Sequence, residues 1–375
     1  MGKGQTEYIV FLVVLLGVGA ALLGSIVSTH SCNAGSYPCT ENQVHEVSLS
    51  NLTLREKIGQ MVMTSATELN AEQLGKAGVG GILVGGRSSK AAYKGLIEAH
   101  QRNARIPLLV AADLEGNGCF GRDFVGLKTF MDPPQIETVE QARELGVEHG
   151  QLLRELGINT NFAPVVDLGD RVWTCRSYGT DAADVAAKVA AYTEGLQSQG
   201  IAATAKHWPG QTLNVADPHL QLVHVNITEA DILPFRAAAD AKVKVVMITH
   251  TISSGAVDSG GKPASISPEA TSKLREFFNG TIVTDDMQMA GVKRYYFPSY
   301  NIGAPCDIGD TERAYVDAVK AGADIILEGL RGCGQKANIV IDAIAAAVDS
   351  GEISEKRIDE SVRRILELKG IKVLD

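Results

Sequence analysis

"INTNFAPVVDLGDRVWTCRSYGTDAADVAAKVAAYTEGLQSQGIAATAKHWPG", residues 158–210, reads as one strand–helix–strand unit. Its first run, INTNFAPVVDL (158–168), is short, largely apolar and ends on polar Asp167. The middle segment, DAADVAAKVAAYTEGLQSQG (181–200), places apolar residues at three-and-four spacing with charges elsewhere, which is the period of a helix. The last run, IAATAKHWPG (201–210), is apolar again and closes on Lys206, His207 and a Trp-Pro-Gly turn. Near-continuous apolar strands are buried on both faces, as in a parallel sheet covered by helices.

The same theme recurs along the chain. IGQMVMTS (58–65), GGILVGG (80–86), PLLVAADLEG (107–116), VKVVMITHT (243–251), GTIVTDDMQM (280–289) and ADIILEG (323–329) bring the strand-like runs to eight. Helix-like segments separate them, among them QARELGVEHGQLLREL and the glycine-terminated TERAYVDAVKAG. Eight alternations predict an α/β fold, a (β/α)8 TIM-type barrel forming a single catalytic domain over residues 53–375. An open doubly wound sheet would call for a glycine fingerprint opening a helix. GVGGILVGG places its glycines around a strand instead.

The N-terminus is of another kind. Tyr8 to Ser28, YIVFLVVLLGVGAALLGSIVS, carries no charge and is long enough to cross a hydrocarbon core about 30 Å thick. Residues 1–28 are expected to be a membrane-spanning signal anchor, and residues 29–52 a polar tether. A cleaved secretory signal is the rival reading, in which case the protein is secreted. Lys3 precedes the span and no Lys or Arg follows from Thr29 to Leu54, which puts the body outside the cytoplasm. GKGQTEYIVFL also resembles the processing site of archaeal pilin-like signal peptides. Cys32 and Cys39 bracket a short loop suited to a local disulfide in an oxidising compartment. Cys119, Cys175, Cys306 and Cys333 show no zinc-site spacing, and free thiols remain open for them. Asn51, Asn226 and Asn279 each begin an Asn-x-Thr sequon. A net charge of −9 disfavours nucleic acid as a partner.

In a barrel, functional side chains gather at the C-terminal ends of the strands. Those ends supply Asp113 and Glu115, Asp167 with Arg176 soon after, Lys206 and His207, His250, Asp285 and Asp286, and Glu328. A long loop after His207 adds Asp217 and His219. Convergent carboxylates, cations and histidines suit a ligand rich in hydroxyls, each of which donates and accepts. No H-x-H or H-E-x-x-H pair marks a metal site, so neither a metal nor another cofactor is expected.

These residues resemble glycoside hydrolase family 3, in its single-barrel β-N-acetylhexosaminidase branch. DLEG (113–116) is similar to that family's D-x-E-G-G, and NTNFAPVVDL (159–168) to N-x-N-F-A-P-V-x-D. CRSYGTD (175–181), KHWPG (206–210), DPH (217–219) and VTDDMQMAGV (283–292) follow in the family's order. The resemblance covers residues 58–368. It implies a retaining exo-glycosidase that acts on terminal β-linked N-acetylglucosamine. By it, Asp285 is the nucleophile and the Asp217–His219 pair supplies the acid/base. Asp113, Arg176, Lys206 and His207 are the substrate-binding residues for the terminal sugar. Strand alternation lets only one of Asp285 and Asp286 face the pocket, and the resemblance selects Asp285. Glu115 and Asp167 read as structural supports.

Three departures from the family pattern cluster near the expected pocket. QTLN (211–214) follows the Pro-Gly turn, Pro218 sits inside the dyad, and GNGCFGR (116–122) stands where a shorter segment is usual, with Arg122 a candidate for its arginine. A β-glucosidase, a glycoside phosphorylase of the same family, or a glycan-binding barrel without turnover are the alternative readings.

Overall fold

The structure is a computed structural model that describes residues 46–117, 124, 126–211, 216–300, 312–329 and 337–374. The expected span Tyr8–Ser28, most of the tether, every cysteine except Cys175, and Arg122 lie outside the described residues. Among the described residues, no helix is long and apolar enough to cross a membrane.

Eight strands form the central sheet. They are β1 (Val62–Ser65), β2 (Gly81–Leu83), β3 (Leu109–Ala112), β4 (Thr160–Asn161), β5 (Ala202–Trp208), β6 (Val245–Ile248), β7 (Thr281–Thr284) and β8 (Ile326–Glu328). Every pairing is parallel, in the order β7-β6-β5-β4-β3-β2-β1-β8. A lone parallel bridge between Val283 and Ile325 joins the two ends, so the sheet is a nearly closed barrel. All eight apolar runs contain a strand, each shorter than its run.

The shortening is greatest in the run that opens the 158–210 unit. Only Thr160 and Asn161 are regular strand; Pro164 has no N–H to donate, and the pairing around it is irregular although its carbonyl still accepts the Lys206 N–H at 3.2 Å. Pairing resumes irregularly beyond it, where the Val166 N–H donates to the Lys206 carbonyl at 2.8 Å. Asp167 thereby still arrives at the C-terminal end of the barrel, beside β5.

Helices α1 (Leu54–Gln60), α2 (Ala71–Ala77), α3 (Lys90–Asn103), α4 (Val139–Leu156), α5 (Ala182–Ser198), α6 (Glu229–Asp240), α7 (Pro268–Arg275), α8 (Ala290–Tyr296), α9 (Glu312–Ala321), α10 (Ala337–Asp349) and α11 (Glu355–Leu368) cover the sheet. Local sequence starts and stops them. Thr53 with Glu56, and Thr138 with Gln141, form reciprocal capping boxes at α1 and α4. Gly157 ends α4 in the left-handed region at φ 88°. Glycines also let α4 and α5 touch: a Cβ on Gly146 would stand 2.3 Å from the Tyr192 carbonyl, and one on Gly195 would stand 2.2 Å from that of Arg143.

Residues 46–52 depart from the polar tether expected of them. Glu46–Val47 pairs in parallel with Lys372–Val373, and Val47, Leu49 and Leu52 are buried in the core. A second outlying pair, His224–Ile227 with Ile252–Gly255, ties the segment after the Asp217–His219 loop to the segment after β6.

Candidate active site

The C-terminal ends of β3, β4 and β5 bring four charged side chains into one bonded set. Glu115, almost fully buried, receives Arg176 through two parallel hydrogen bonds of 2.8 Å, from Nε and a terminal nitrogen. Lys206 Nζ stands 2.6 Å from Glu115 and donates to Asp113 Oδ1, also at 2.6 Å. Burial alone would raise the Glu115 carboxyl, but the Arg176 and Lys206 charges hold it down at about 2. The same pairings overcome burial and raise Arg176 and Lys206 above their ordinary values. Removing one member would leave an uncompensated buried charge, so the set is fixed as a unit.

His207 joins the set from the side. Its Nδ1 lies 2.7 Å from Asp167 Oδ2, and its Nε2 lies 3.3 Å from Arg176. Asp167 thereby fixes the orientation of the ring, with Nε2 turned to the guanidinium. Asp167 also accepts the Gln211 N–H at 3.0 Å, which ties the start of the following loop to the same carboxylate.

That loop returns with Asp217 and His219. The Asp217 Oδ1 atom accepts both the His219 backbone N–H, at 2.8 Å, and its ring Nδ1, at 2.7 Å. One carboxylate oxygen thus fixes the position and the orientation of the ring. The turn after β7 holds the loop from below. Gly291 donates its N–H to the Pro218 carbonyl at 3.0 Å, and Ala290 donates to that of His219 at 3.2 Å.

Asp285 and Asp286 follow β7 and diverge. Asp285 lines a cleft together with Arg176, His207, Gln211 and His219. Burial would raise its carboxyl, but the His207, His250 and His219 rings and the Asp286 N–H, which donates at 2.8 Å, bring it below the ordinary value. Asp286 turns away and accepts the Gln288 N–H at 3.0 Å and the Gly329 N–H at 3.1 Å. Burial, with Glu328 nearby, pushes it up to about 7.

Arg176, His207, His219 and Asp285 therefore share one cleft, and Asp113 and Lys206 connect to it through Glu115. His250 is fully buried between Ser265 Oγ, at 2.7 Å, and the Asp286 carbonyl, at 3.0 Å. Met287 and Met289 are packed in the interior, and Glu328 accepts the Tyr315 hydroxyl at 2.8 Å. Sequence reasoning passed over Asp170 and Trp173, which also line the cleft. Their signal was a tryptophan in the polar stretch GDRVWT, between two recognisable motifs. Cys175, two residues on, is disulfide-bonded. Among the described residues, no group of three or more His, Cys, Asp or Glu side chains is placed to hold a metal ion.

A roomier cavity of about 340 Å³ opens at the opposite, N-terminal end of the strands, lined by Thr53, Glu56, Gln60, Leu74, His100 and Arg105 among others. Glu56 there is engaged by Thr53 and Arg105, and His100 is bonded to Leu96 and Asn70. No set of groups comparable to the one at the other end converges on it.

Residues 53–368 match the model of the glycosyl hydrolase family 3 N-terminal domain, and the chain belongs to that family. The β-hexosaminidase LpqI of Mycobacterium tuberculosis is 29% identical, over 85% of this chain and 83% of its own. A β-N-acetylglucosaminidase/β-glucosidase of Cellulomonas fimi is 30% identical over 84% of this chain and 57% of its own. Among solved structures, the family 3 β-N-acetylglucosaminidase of Paenibacillus sp. str. FPU-7 superposes with a TM-score of 0.73 at 34% identity, covering 85% of this chain and 62% of that one. This chain thus spans most of the mycobacterial relative and under two thirds of the other two. The protein is a glycosidase.

Proposed function

We propose that the protein hydrolyses terminal β-linked N-acetylglucosamine with net retention. Asp285 attacks the anomeric carbon, and the bond to the leaving oxygen breaks as His219 gives that oxygen a proton. His219 then takes a proton from water, which releases the sugar from Asp285. Asp217 engages Nδ1, so Nε2 is the nitrogen that serves the substrate. Asp113, Arg176, Lys206 and His207 hold the terminal sugar through charged hydrogen bonds that strengthen as positive charge develops. The observation that carries this reading is the shared cleft. Asp285 and His219 line it together, with a carboxylate orienting the histidine.

The test uses a chromogenic β-N-acetylglucosaminide with wild type, Asp285→Ala and His219→Ala. The expected result is turnover by wild type and its loss in Asp285→Ala. In His219→Ala, a drop of about 10²-fold or more is expected, the scale of general acid catalysis. Turnover that survives in Asp285→Ala sinks the mechanism. A β-glucoside substrate belongs in the same assay, because the Cellulomonas fimi relative is named for both activities. Added phosphate as acceptor separates hydrolysis from phosphorolysis.

The apolar stretch Tyr8–Ser28 further supports a body anchored to a membrane and held outside the cytoplasm. Protease access in intact cells tests that placement.

A further inference from the structure

We propose that Asn161 is a positioning residue for the sugar-binding set, acting through the backbone of Leu114. The role rests on the reading of Asp113, Arg176, Lys206 and His207 as the groups that hold the terminal sugar. Asp113 and Glu115 flank Leu114 in the chain. Whatever fixes the Leu114 backbone therefore fixes the roots of both carboxylates.

The regular ladder between β3 and β4 stops short of Leu114. Its last bond runs from the Phe162 N–H to the Ala112 carbonyl, at 2.8 Å. A parallel ladder would continue with the Leu114 N–H donating to residue 162, and the N–H of residue 164 donating to the Leu114 carbonyl. Residue 164 is proline and has no N–H. Leu114 is fully buried, where an unpaired peptide group is costly. The Asn161 side chain takes the place of the missing strand. Its Oδ1 accepts the Leu114 N–H at 2.9 Å, and its Nδ2 donates to the Leu114 carbonyl at 2.8 Å. One carboxamide thus meets both polar groups of one residue, as a neighbouring strand would. Nδ2 also donates to the Tyr192 hydroxyl at 3.1 Å, and that hydroxyl lies 2.8 Å from His149 Nδ1. Asn161, Tyr192 and His149 are all fully buried, so α4 and α5 hold the carboxamide from behind.

The position of Leu114 is passed on by the ion pairs beside it. Asp113 engages Lys206, and Glu115 engages Lys206 and Arg176. Asn159 supplies the comparison. It makes the same kind of clamp at the start of β3, where its Oδ1 accepts the Val110 N–H at 2.8 Å and its Nδ2 donates to the Leu108 carbonyl at 3.0 Å. No residue of the sugar-binding set adjoins Leu108 or Val110 in the chain.

The experiment measures kcat/KM on a chromogenic β-N-acetylglucosaminide and the Kd of N-acetylglucosamine, in the full-length protein and below the melting temperature of every variant. Asn161→Ala and Asn159→Ala should both melt below wild type, because each leaves backbone groups unpaired. Asn161→Ala should also lose about 10²-fold in kcat/KM and about tenfold in affinity for the sugar, the scale of a small misplacement of binding groups. Asn159→Ala should stay within about twofold of wild type in both. Asn161→Asp adds a readout that a merely structural role would not move. Its carboxylate has no hydrogen for the Leu114 carbonyl, whereas its protonated form restores that bond. Its kcat/KM relative to wild type should therefore rise as the pH falls from about 8 to about 5. A ratio independent of pH, or equal losses in Asn161→Ala and Asn159→Ala, overturns the role. If Asn161→Ala does not fold, the Asn161→Asp ratio decides. If wild type shows no turnover, the hydrolytic reading has failed by itself, and the same comparisons are made on Kd. Sugar bound equally well by wild type and the Asn161 variants, or by none of them, would overturn the role of Asn161.

Discussion

Strand alternation sends the side chains of Asp285 and Asp286 to different surroundings, and the surroundings give two identical carboxyls different chemistry. Asp285 faces histidines and is held below its ordinary value, which suits the nucleophile proposed above. Asp286 is buried near Glu328 and rises from 3.8 to about 7. A carboxyl whose folded value is raised favours the native state in its protonated form. That contribution is complete below about pH 4 and is lost as the pH rises through about 7. Asp286→Asn keeps an oxygen for the Gln288 and Gly329 N–H groups and carries no charge at any pH. Its melting temperature should therefore change less than that of wild type between about pH 4 and pH 8, and should exceed it at the alkaline end. Calorimetry across that range decides the matter, and two parallel curves would remove the assignment. The variant should keep measurable turnover, which Asp285→Asn should not.

At the scale of elements, the turn between β7 and α8 presents Asp285 and also carries the loop of His219. The N–H groups of Ala290 and Gly291 reach carbonyls on either side of the His219 ring. Gly291 has no room to spare: an added Cβ would stand 3.0 Å from the Pro218 carbonyl and 3.1 Å from the His250 Cβ. Gly291→Val should push the loop away from the turn and displace His219. The expected loss is about tenfold or more in kcat on substrates whose leaving group needs a proton. The loss should be small on a glycosyl fluoride, whose departure needs less help. Equal losses on both would mean that the turn, and not the loop, was damaged. The sequence showed the parts of this arrangement without their connection. The polar residues closing each apolar run were readable, because a barrel collects them at one end. The family's motifs separated Asp285 from Asp286. The hydrogen bonds from residues 290 and 291 back to 218 and 219 follow no local pattern, and neither does the meeting of Trp173 with His219 across 45 intervening residues. Such contacts exist only once the barrel has closed. The same limit applies to β4: apolar character ran through Val166, but regular pairing ends at Asn161 and is irregular around Pro164.

For the molecule as a whole, the question is where the folded body begins. The family match starts at residue 53, and composition makes the preceding segment look like tether. In the structure, Glu46–Val47 lies alongside Lys372–Val373, with the Leu374 N–H donating to the Val47 carbonyl at 3.0 Å and Lys372 paired with Glu46 at 2.9 Å. Composition misses this because three aliphatic side chains, spaced among serines and asparagine, suffice to dock a short segment. Val47, Leu49 and Leu52 are 1%, 5% and 6% exposed. Burial of one such side chain contributes about 1.5–3 kcal/mol, before the chain entropy lost in fixing it. A chain beginning at Thr53 should therefore be less stable than one beginning at Glu46 by roughly 3 kcal/mol, a fall of about 4 °C in melting temperature. Removing residues 371–375 instead should cost part of the same energy, because both cuts break the same strand pair. The double truncation should accordingly cost less than the sum of the two. Additive losses would mean that the two ends are held independently of each other. Equal melting temperatures for chains starting at 46 and 53 would return residues 46–52 to the tether. The outcome expected here makes the pair a clasp between the first and last described segments, closing outside the barrel and at a distance from the cleft.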